Sequence, residues 1–218
     1  MEIKEKKRTT LWYSIVGIGI ILALSAYYFF IYQQPPLVNI NIDNQPTFGN
    51  INSSVKVVVF EEPKCPSCKR FTMNIFPKIK EEFIDTNLIS YTLIPVSFIP
   101  NSMPIAISWL CMYEHEKKIP NKNIFFTYVN KTYEQFNPEL DSQLSESEVE
   151  KKMPLCESKE IFKKVIKKNT AYEMKIMQGD IFTPAVYVNG LLVKDLSYEN
   201  IEKIIKAAME ENYKEMKN

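Results

Sequence analysis

Residues 55–71, VKVVVFEEPKCPSCKRF, decide the fold of this chain. The first six positions are apolar or β-branched almost throughout, which predicts a buried strand. Cys65 and Cys68 follow, and apolar residues then recur every four positions, at Phe71, Ile75, Ile79 and Phe83. This periodicity predicts a helix that begins near Cys65 and is kinked at Pro77. Cysteines at this spacing can hold a metal, close a structural bridge or exchange electrons with another protein.

The composition is that of a folded protein without a marked charge. The chain has 218 residues, of which 45% are apolar, and 27 basic side chains balance 26 acidic ones. This length accommodates one sizeable domain and a short extra segment. The net charge of +1 offers no electrostatic basis for binding nucleic acid, so a nucleic-acid partner is not expected.

Residues 11–32 form an uncharged, apolar stretch of 22 residues. As a helix it would be roughly 33 Å long, close to the thickness of the hydrocarbon layer of a bilayer. Four basic residues lie within residues 1–10, and no Lys or Arg follows the stretch until Lys56. The asymmetry predicts a single-pass signal anchor with residues 1–10 in the cytoplasm and the rest of the chain outside it.

A cleaved signal peptide is the alternative interpretation of this stretch. Residues 23–25, Ala-Leu-Ser, have the small residues that a signal peptidase accepts. Cleavage there would leave the apolar residues 27–32 exposed on the mature protein, which favours the anchor. Residues 33–54 are then expected to be a tether, with an edge strand at residues 37–42.

The order of elements after the tether predicts an α/β domain with a helical insert. Residues 55–102 contain the first strand, the kinked helix and a second strand at 88–96. Residues 103–178 contain four helix candidates, at 104–118, 123–136, 145–153 and 158–177. Residues 179–218 contain a hairpin with an Asn189–Gly190 turn and a helix capped by Ser197.

Three features resemble the DsbA-like branch of the thiol–disulfide oxidoreductases with a thioredoxin fold. These are CPSC at residues 65–68 after an apolar strand, TPAVYVNG at residues 183–190, and the 116 positions between Cys68 and Pro184. The resemblance implies a thioredoxin fold interrupted by a helical subdomain. It also implies a cis-proline loop at Thr183 and Pro184, next to the cysteines.

The resemblance assigns Cys65 as the nucleophile and Cys68 as the resolving cysteine. Only a thiolate attacks a disulfide, and the start of a helix stabilises one through unpaired backbone N–H groups and the helix dipole. Pro66 preforms the first helical turn, while Lys64 adds a positive charge and Ser67 adds backbone and hydroxyl donors. We therefore expect a lowered Cys65 pKa.

Two positions depart from the pattern of the best-known oxidases of this branch. Those oxidases have His where this chain has Ser67. They also have a buried Glu six residues before the first cysteine, where this chain has Val59. Glu62 matches an acidic residue common in the wider branch. The departures leave the redox potential and the proton-relaying group open.

The Thr183–Pro184 loop is expected to bind substrate. A cis bond removes a backbone donor and leaves the Thr183 backbone free to pair with an extended peptide. The Thr183 hydroxyl is placed to donate a hydrogen bond to the Cys65 sulfur. An ordinary trans proline leading a strand is the alternative.

The two remaining cysteines, Cys111 and Cys156, lie in the predicted insert, 45 residues apart. In an oxidising compartment they are expected to form a structural disulfide, with a pair of buried free thiols as the alternative. A four-cysteine zinc site would need a second closely spaced pair, so no metal is expected. His115, the single histidine, is expected at the surface.

These features predict an extracytoplasmic oxidase that donates its Cys65–Cys68 disulfide to exported, cysteine-containing proteins. The cysteine pair is the redox centre, and no cofactor is expected. The resemblance implies reoxidation by a quinone-linked membrane partner of the DsbB type, and a monomer is expected. A reductase or isomerase on the same fold is one alternative, and a non-catalytic module with a static disulfide is another.

Overall fold

A computed structural model describes residues 16–28, 37–119, 124–135 and 156–217, the side chains of the last six residues excepted. The chain divides into two compact units, residues 1–36 and 37–218. The larger unit contains the strands β1 (Thr47–Gly49), β2 (Lys56–Glu61), β3 (Ser90–Pro95), β4 (Ala185–Val188) and β5 (Leu191–Leu192). Its helices are α1 (Pro66–Asn74), α2 (Phe76–Ile79), α3 (Met103–Lys117), α4 (Ile124–Gln135), α5 (Lys159–Ile176) and α6 (Tyr198–Lys217).

The smaller unit is described over residues 16–28, which are helical with exposed apolar side chains. Residues 11–15 and 29–32 of the predicted anchor lie outside the described residues. Over the ranges that the structure describes, the helices are too short or too polar to cross a membrane. The predicted anchor therefore stays a prediction.

The sheet has the strand order β1-β3-β2-β4-β5. β2 pairs in parallel with β3 on one side and antiparallel with β4 on the other. The register of the second pair places Phe60, near the end of β2, opposite Ala185, the first residue of β4. The segments that follow β2 and precede β4 therefore meet at one end of the sheet.

Alternation along β2 supplies both faces of the sheet with core residues, as expected for a central strand. Val57 and Val59 lie in a large core that also contains Cys68 of α1 and Ile205 of α6. On the other face, Val58 and Phe60 belong to a second core against which Tyr172 and Ile176 of α5 pack.

The predicted kinked helix after the cysteines is broken into pieces. α1 ends at Asn74, α2 starts at Phe76 with Pro77 in its first turn, and residues 80–84 form a π-helical turn. Pro77 has no N–H to donate to the preceding turn, so the helix restarts there. The apolar spacing nevertheless holds through the break, because Phe76 and Ile79 are buried in the same core.

The predicted edge strand at residues 37–42 is wrong. The strand in this part of the chain is β1, which forms one edge of the sheet and pairs antiparallel with β3, so part of the predicted tether belongs to the folded unit. Val38 does approach the hairpin, where its N–H donates to the Gly190 carbonyl at 2.9 Å. Gly190 has a positive φ of 83°, and a Cβ there would lie 2.3 Å from the Val38 carbonyl oxygen. Asn189 has a positive φ as well, so both central residues of the predicted Asn189–Gly190 turn have the positive φ of a type I′ turn.

The helical insert is present between β3 and β4, as predicted. Three of the four helix candidates correspond to α3, α4 and α5, and the fourth, at 145–153, lies outside the described residues. Trp109 of α3 is fully buried and donates its Nε1–H to Thr132 of α4 at 2.9 Å. The second half of α5 packs on the sheet, so this helix belongs to both the insert and the thioredoxin core.

Candidate active site

Cys65 lies at the start of α1, four residues beyond the end of β2. It is the N-cap residue, Pro66 is the first helical residue, and the Cys65 carbonyl accepts the first helical hydrogen bond from the Lys69 N–H at 3.0 Å. Cys65 is half-buried, whereas Cys68, one turn later, is completely buried. One sulfur is thus accessible and the other is sealed in the core.

The Thr183–Pro184 peptide bond is cis, and this loop contacts the active-site helix. The Cys65 thiol donates a hydrogen bond to the Thr183 carbonyl, with 3.2 Å between sulfur and oxygen. The Thr183 hydroxyl is buried and has no hydrogen-bond partner of normal geometry among the described residues. The Thr183 side chain nevertheless faces the sulfur closely enough to lower the Cys65 pKa, so the loop acts on the nucleophile through both its carbonyl and its hydroxyl.

The two thiols differ strongly in acidity. The hydrogen bond from the Cys68 thiol lowers the pKa of Cys65 to about 5, and the Thr183 side chain and the backbone N–H groups of Cys68 and Ser67 add to this, although burial opposes the shift. Burial raises the pKa of Cys68 well above its usual value, and its hydrogen bond to Cys65 and the charge of Glu61 add to this. At neutral pH the reduced pair is one thiolate and one thiol.

The predicted tuning residues have mixed roles. Ser67 contributes its backbone N–H, while its hydroxyl accepts a hydrogen bond from Arg70 at 2.8 Å. The Lys64 side chain is 6% exposed, and its ammonium donates to the Pro100 carbonyl at 3.1 Å. The Cys68 thiol, the Thr183 side chain and the backbone N–H groups at the start of α1 are the groups that lower the Cys65 pKa.

Glu62 shapes the turn that leads to the nucleophile. Its side chain is fully buried and accepts a 2.6 Å hydrogen bond from the Lys64 N–H, and its carbonyl accepts one from the Cys65 N–H at 3.0 Å. Burial raises the Glu62 pKa to about 7, and the nearby Cys65 adds to the shift. Glu62 is thus a structural support whose own charge is coupled to that of the nucleophile.

Glu61, the last residue of β2, is an acid that the sequence patterns do not single out. It is 1% exposed, and its Oε2 accepts hydrogen bonds from Thr72 at 2.8 Å and from Tyr133 at 2.9 Å. Burial raises its pKa to about 7. The sequence does contain a hint, because Glu61 lies two positions after Val59 and therefore on the same face of β2. Val59 is the position at which oxidases of this branch have their buried Glu.

Cys111 and Cys156 form a disulfide with Cα atoms 5.9 Å apart, which joins α3 to the segment before α5. Both sulfurs are bonded to each other, so the four-cysteine zinc alternative does not hold. In the part of the chain that the structure describes, no cluster of His, Cys, Asp and Glu side chains can hold a metal. His115 is exposed and lines an open pocket beside this disulfide.

Comparisons with known proteins agree with this geometry. A family model described as thioredoxin matches residues 41–207. Over 178 residues the chain is 30% identical to the disulfide bond formation protein D of Bacillus subtilis. The aligned region covers 76% of this chain and 77% of that protein.

Two solved structures share both the fold and part of the sequence. The DsbA of Chlamydia trachomatis is 30% identical with a TM-score of 0.58, over 79% of this chain and 96% of that chain. Oxidised BdbD from Bacillus subtilis is 25% identical with a TM-score of 0.62, over 82% of this chain and 100% of that chain. The chain therefore belongs to the thioredoxin family and is a DsbA-like thiol–disulfide oxidoreductase with a cysteine pair as its redox centre.

Proposed function

We propose that this protein is an oxidase, which donates the Cys65–Cys68 disulfide to exported, cysteine-containing proteins. The observation that carries the proposal is the lowered Cys65 pKa at the start of α1. A stabilised thiolate makes the reduced state of the enzyme more stable, so its disulfide becomes a stronger oxidant.

The reaction follows from the different exposure of the two sulfurs. A substrate thiolate attacks the half-buried Cys65 sulfur, the Cys65–Cys68 bond breaks, and Cys68 leaves and takes up a proton. A second substrate thiolate then attacks the mixed disulfide, so the substrate gains a disulfide and Cys65 leaves as the stabilised thiolate. The buried Cys68 is inaccessible to substrate, which supports Cys65 as the nucleophile.

The cis-proline loop is proposed to hold the substrate during this exchange. Thr183 precedes β4 and lies against Cys65, so an extended peptide pairing with its backbone would lie beside the reacting sulfur. Phe182, the residue before it, is 47% exposed and offers an apolar contact to an unfolded chain.

Equilibration of the full-length protein with glutathione redox buffers tests the direction of the reaction. We expect a potential well above that of thioredoxin, and a value near about −270 mV would instead support a reductase. Iodoacetamide labelling of the reduced protein at falling pH tests the site itself. We expect alkylation of Cys65 to persist down to about pH 5. An unreactive Cys65, or one that titrates like a free cysteine, would support the non-catalytic module.

The site of action is proposed to be outside the cytoplasm, with residues 11–32 as a single-pass anchor. The apolar stretch with its basic flank and the Cys111–Cys156 disulfide support this placement. A reporter enzyme that is active only outside the cytoplasm, fused after residue 54, should be active and resist extraction from membranes with carbonate. A reporter released into the soluble fraction would indicate cleavage of the leader instead.

Reoxidation is proposed to come from a membrane protein of the DsbB type, which passes electrons to a quinone. Membranes from the source cell should reoxidise the reduced protein, and a quinone-site inhibitor should slow this reaction. Reoxidation that is insensitive to the inhibitor would contradict a quinone-linked partner.

A further inference from the structure

Glu173 on α5 is a buried acid that the exchange reaction described above does not use. Its side chain is 0% exposed, and neither carboxylate oxygen has a hydrogen-bond partner among the described residues. Glu61, by comparison, has two hydroxyl donors on one oxygen. An ionised carboxylate without donors is costly to bury, so Glu173 favours the neutral form when folded.

The docking of α5 directs Glu173 toward the active site. One turn earlier on the same face, Asn169 donates to the Pro95 carbonyl at 3.0 Å and is bonded to Gln45. Pro95 lies opposite Glu61 in the β2–β3 register. This face of α5 therefore packs on the sheet at the end of β2, where the chain turns toward Cys65. Glu173, one turn after Asn169, lies on the same face.

The titratable groups that face Glu173 come from three elements. Glu62 and Cys65 approach from the segment after β2, and their charges add to burial in raising the Glu173 pKa to about 8. Tyr187 approaches from β4, and its own pKa is raised to about 12, first by burial and then by the charge of Glu173. On α5 itself, Tyr172 donates its hydroxyl to the Asn39 carbonyl. Burial and both charges therefore act in the same direction on the Glu173 pKa.

We propose that Glu173 is a positioning residue that takes up a proton when the Cys65–Cys68 disulfide is reduced and releases it when the disulfide forms again. The proposal rests on the oxidation reaction proposed above. A substrate dithiol delivers two electrons and two protons as it forms its own disulfide. The electrons break the Cys65–Cys68 bond, one proton goes to Cys68, and Cys65 stays a thiolate. Glu173, where it is ionised in the oxidised enzyme, accepts the second proton.

Electrostatic coupling makes this transfer reciprocal. A new negative charge on Cys65 favours protonated Glu173, and an ionised Glu173 disfavours the Cys65 thiolate by the same free energy. As pH rises through the titration of Glu173, the disulfide therefore becomes a weaker oxidant than it would be with a neutral side chain at position 173. Below that range Glu173 is neutral in both redox states and has no effect.

The test is the pH dependence of the equilibrium with glutathione, measured on the full-length protein between about pH 5.5 and 9. Glu173→Gln keeps the shape of the side chain but cannot titrate, and Glu160→Gln is the matched control at an exposed position of the same helix. In Glu173→Gln we expect the equilibrium constant for reduction of the enzyme by glutathione to rise by up to about tenfold per pH unit near pH 7 to 8, because the Cys65 thiolate forms with release of one proton. In the wild type the constant should rise clearly less, because Glu173 retains that proton.

Below about pH 6 the curves of the wild type and Glu173→Gln should converge, and Glu160→Gln should follow the wild type throughout. Glu173→Asp, which restores a titrating group, should regain the shallower dependence of the wild type. Parallel curves for the wild type and Glu173→Gln over the whole range would overturn the proposal. The pH dependence of the equilibrium constant does not depend on the absolute redox potential. A low potential would therefore contradict the proposed oxidase direction, whereas the comparison of the two pH curves would still decide the role of Glu173.

A measurement on the wild type covers the case in which Glu173→Gln does not fold. Reduction of the disulfide by a phosphine in weakly buffered solution releases one proton per disulfide when the only charge formed is the Cys65 thiolate. We expect clearly less than one proton near pH 7.5, because a buried carboxyl retains part of it. Release of a full proton would overturn the proposal.

Discussion

The two cysteine pairs of this chain have the same chemistry and different surroundings. Cys65 and Cys68 are free thiols at the start of α1, whereas Cys111 and Cys156 form a disulfide between helical segments. Around the first pair lie helix N–H groups, a cis-proline loop and buried acids. Reactivity is therefore determined by what each sulfur faces, and the first pair is built to exchange while the second is built to stay closed.

The largest expected effect separates the two pairs by activity. Cys65→Ser should reduce oxidation of a reduced model protein to the rate without enzyme, since it removes the sulfur that the substrate attacks. The double variant Cys111→Ser/Cys156→Ser, assayed at a temperature at which it is folded, should retain most of the activity. Appreciable turnover by Cys65→Ser, or complete loss in the folded double variant, would break the distinction.

Stability should separate the pairs in the opposite sense. Removing the Cys111–Cys156 bond, which closes a 45-residue separation, is expected to cost about 4 kcal/mol of unfolding free energy by the chain-entropy model. Urea denaturation of the double variant against the wild type measures this difference. Reduction of Cys65–Cys68 should instead stabilise the protein, because the Cys65 thiolate is favoured in the folded state. A double variant as stable as the wild type would show that the Cys111–Cys156 disulfide does not stabilise the fold.

Glu61, the buried acid next to the active-site pair, should make the stability of the protein depend on pH. The folded-state pKa of Glu61, about 7, lies above its ordinary value of 4.5, so the folded protein binds this proton more tightly than the unfolded chain does. The resulting stabilisation is present below pH 4.5 and is lost as the pH rises through 7, with a total of roughly 3 kcal/mol. Glu61→Gln in the oxidised protein should remove the contribution of Glu61 from the pH profile of the unfolding free energy and leave those of Glu62 and Glu173, whereas Glu160→Gln should leave the whole profile unchanged. An unaltered pH profile in Glu61→Gln would show that Glu61 does not contribute to it.

The smallest effect concerns the dipeptide between the active-site cysteines. Ser67→His places a charged donor at the start of α1, which should lower the Cys65 pKa further and raise the redox potential by about 30 mV, equivalent to about 1.4 kcal/mol. Ser67→Ala, which removes only the hydroxyl bonded to Arg70, should change the potential less. Equal potentials for Ser67→His and the wild type would show that a further donor at position 67 does not stabilise the Cys65 thiolate beyond what the backbone N–H groups achieve.

Much of the fold can be predicted from the sequence because its decisive signals are local. The β-branched run of β2, Pro66 after Cys65 and the Asn189–Gly190 turn each specify their backbone through short-range sterics. The edge strand at residues 37–42 is the instructive error. Its alternation is real, since Val38, Ile40 and Ile42 pack against the core of the second sheet face. Alternating burial alone does not produce a ladder of backbone hydrogen bonds, and β1 occupies the edge instead.

The candidate site divides in the same way. The cysteines and the cis-proline loop follow from motifs, whereas the buried acids depend on contacts distant in sequence. Glu61 is enclosed by Tyr133, 72 positions away, and Glu173 is enclosed by the docking of α5 on the sheet. Glutamate is usually exposed, so strand parity, the one local hint for Glu61, is too weak to predict burial by itself.

The pairing of β2 with β4 has a consequence for how this architecture can be altered. The register that sets Phe60 opposite Ala185 delivers Cys65 and Pro184 to one place, whatever chain connects the two strands. The connecting helices between β3 and α5 can therefore differ without separating the cysteines from the cis proline, as long as a donor takes the place of Tyr133 of α4 at Glu61. Grafting a different helical subdomain that keeps this donor should change which clients are recognised and preserve the electron-transfer chemistry.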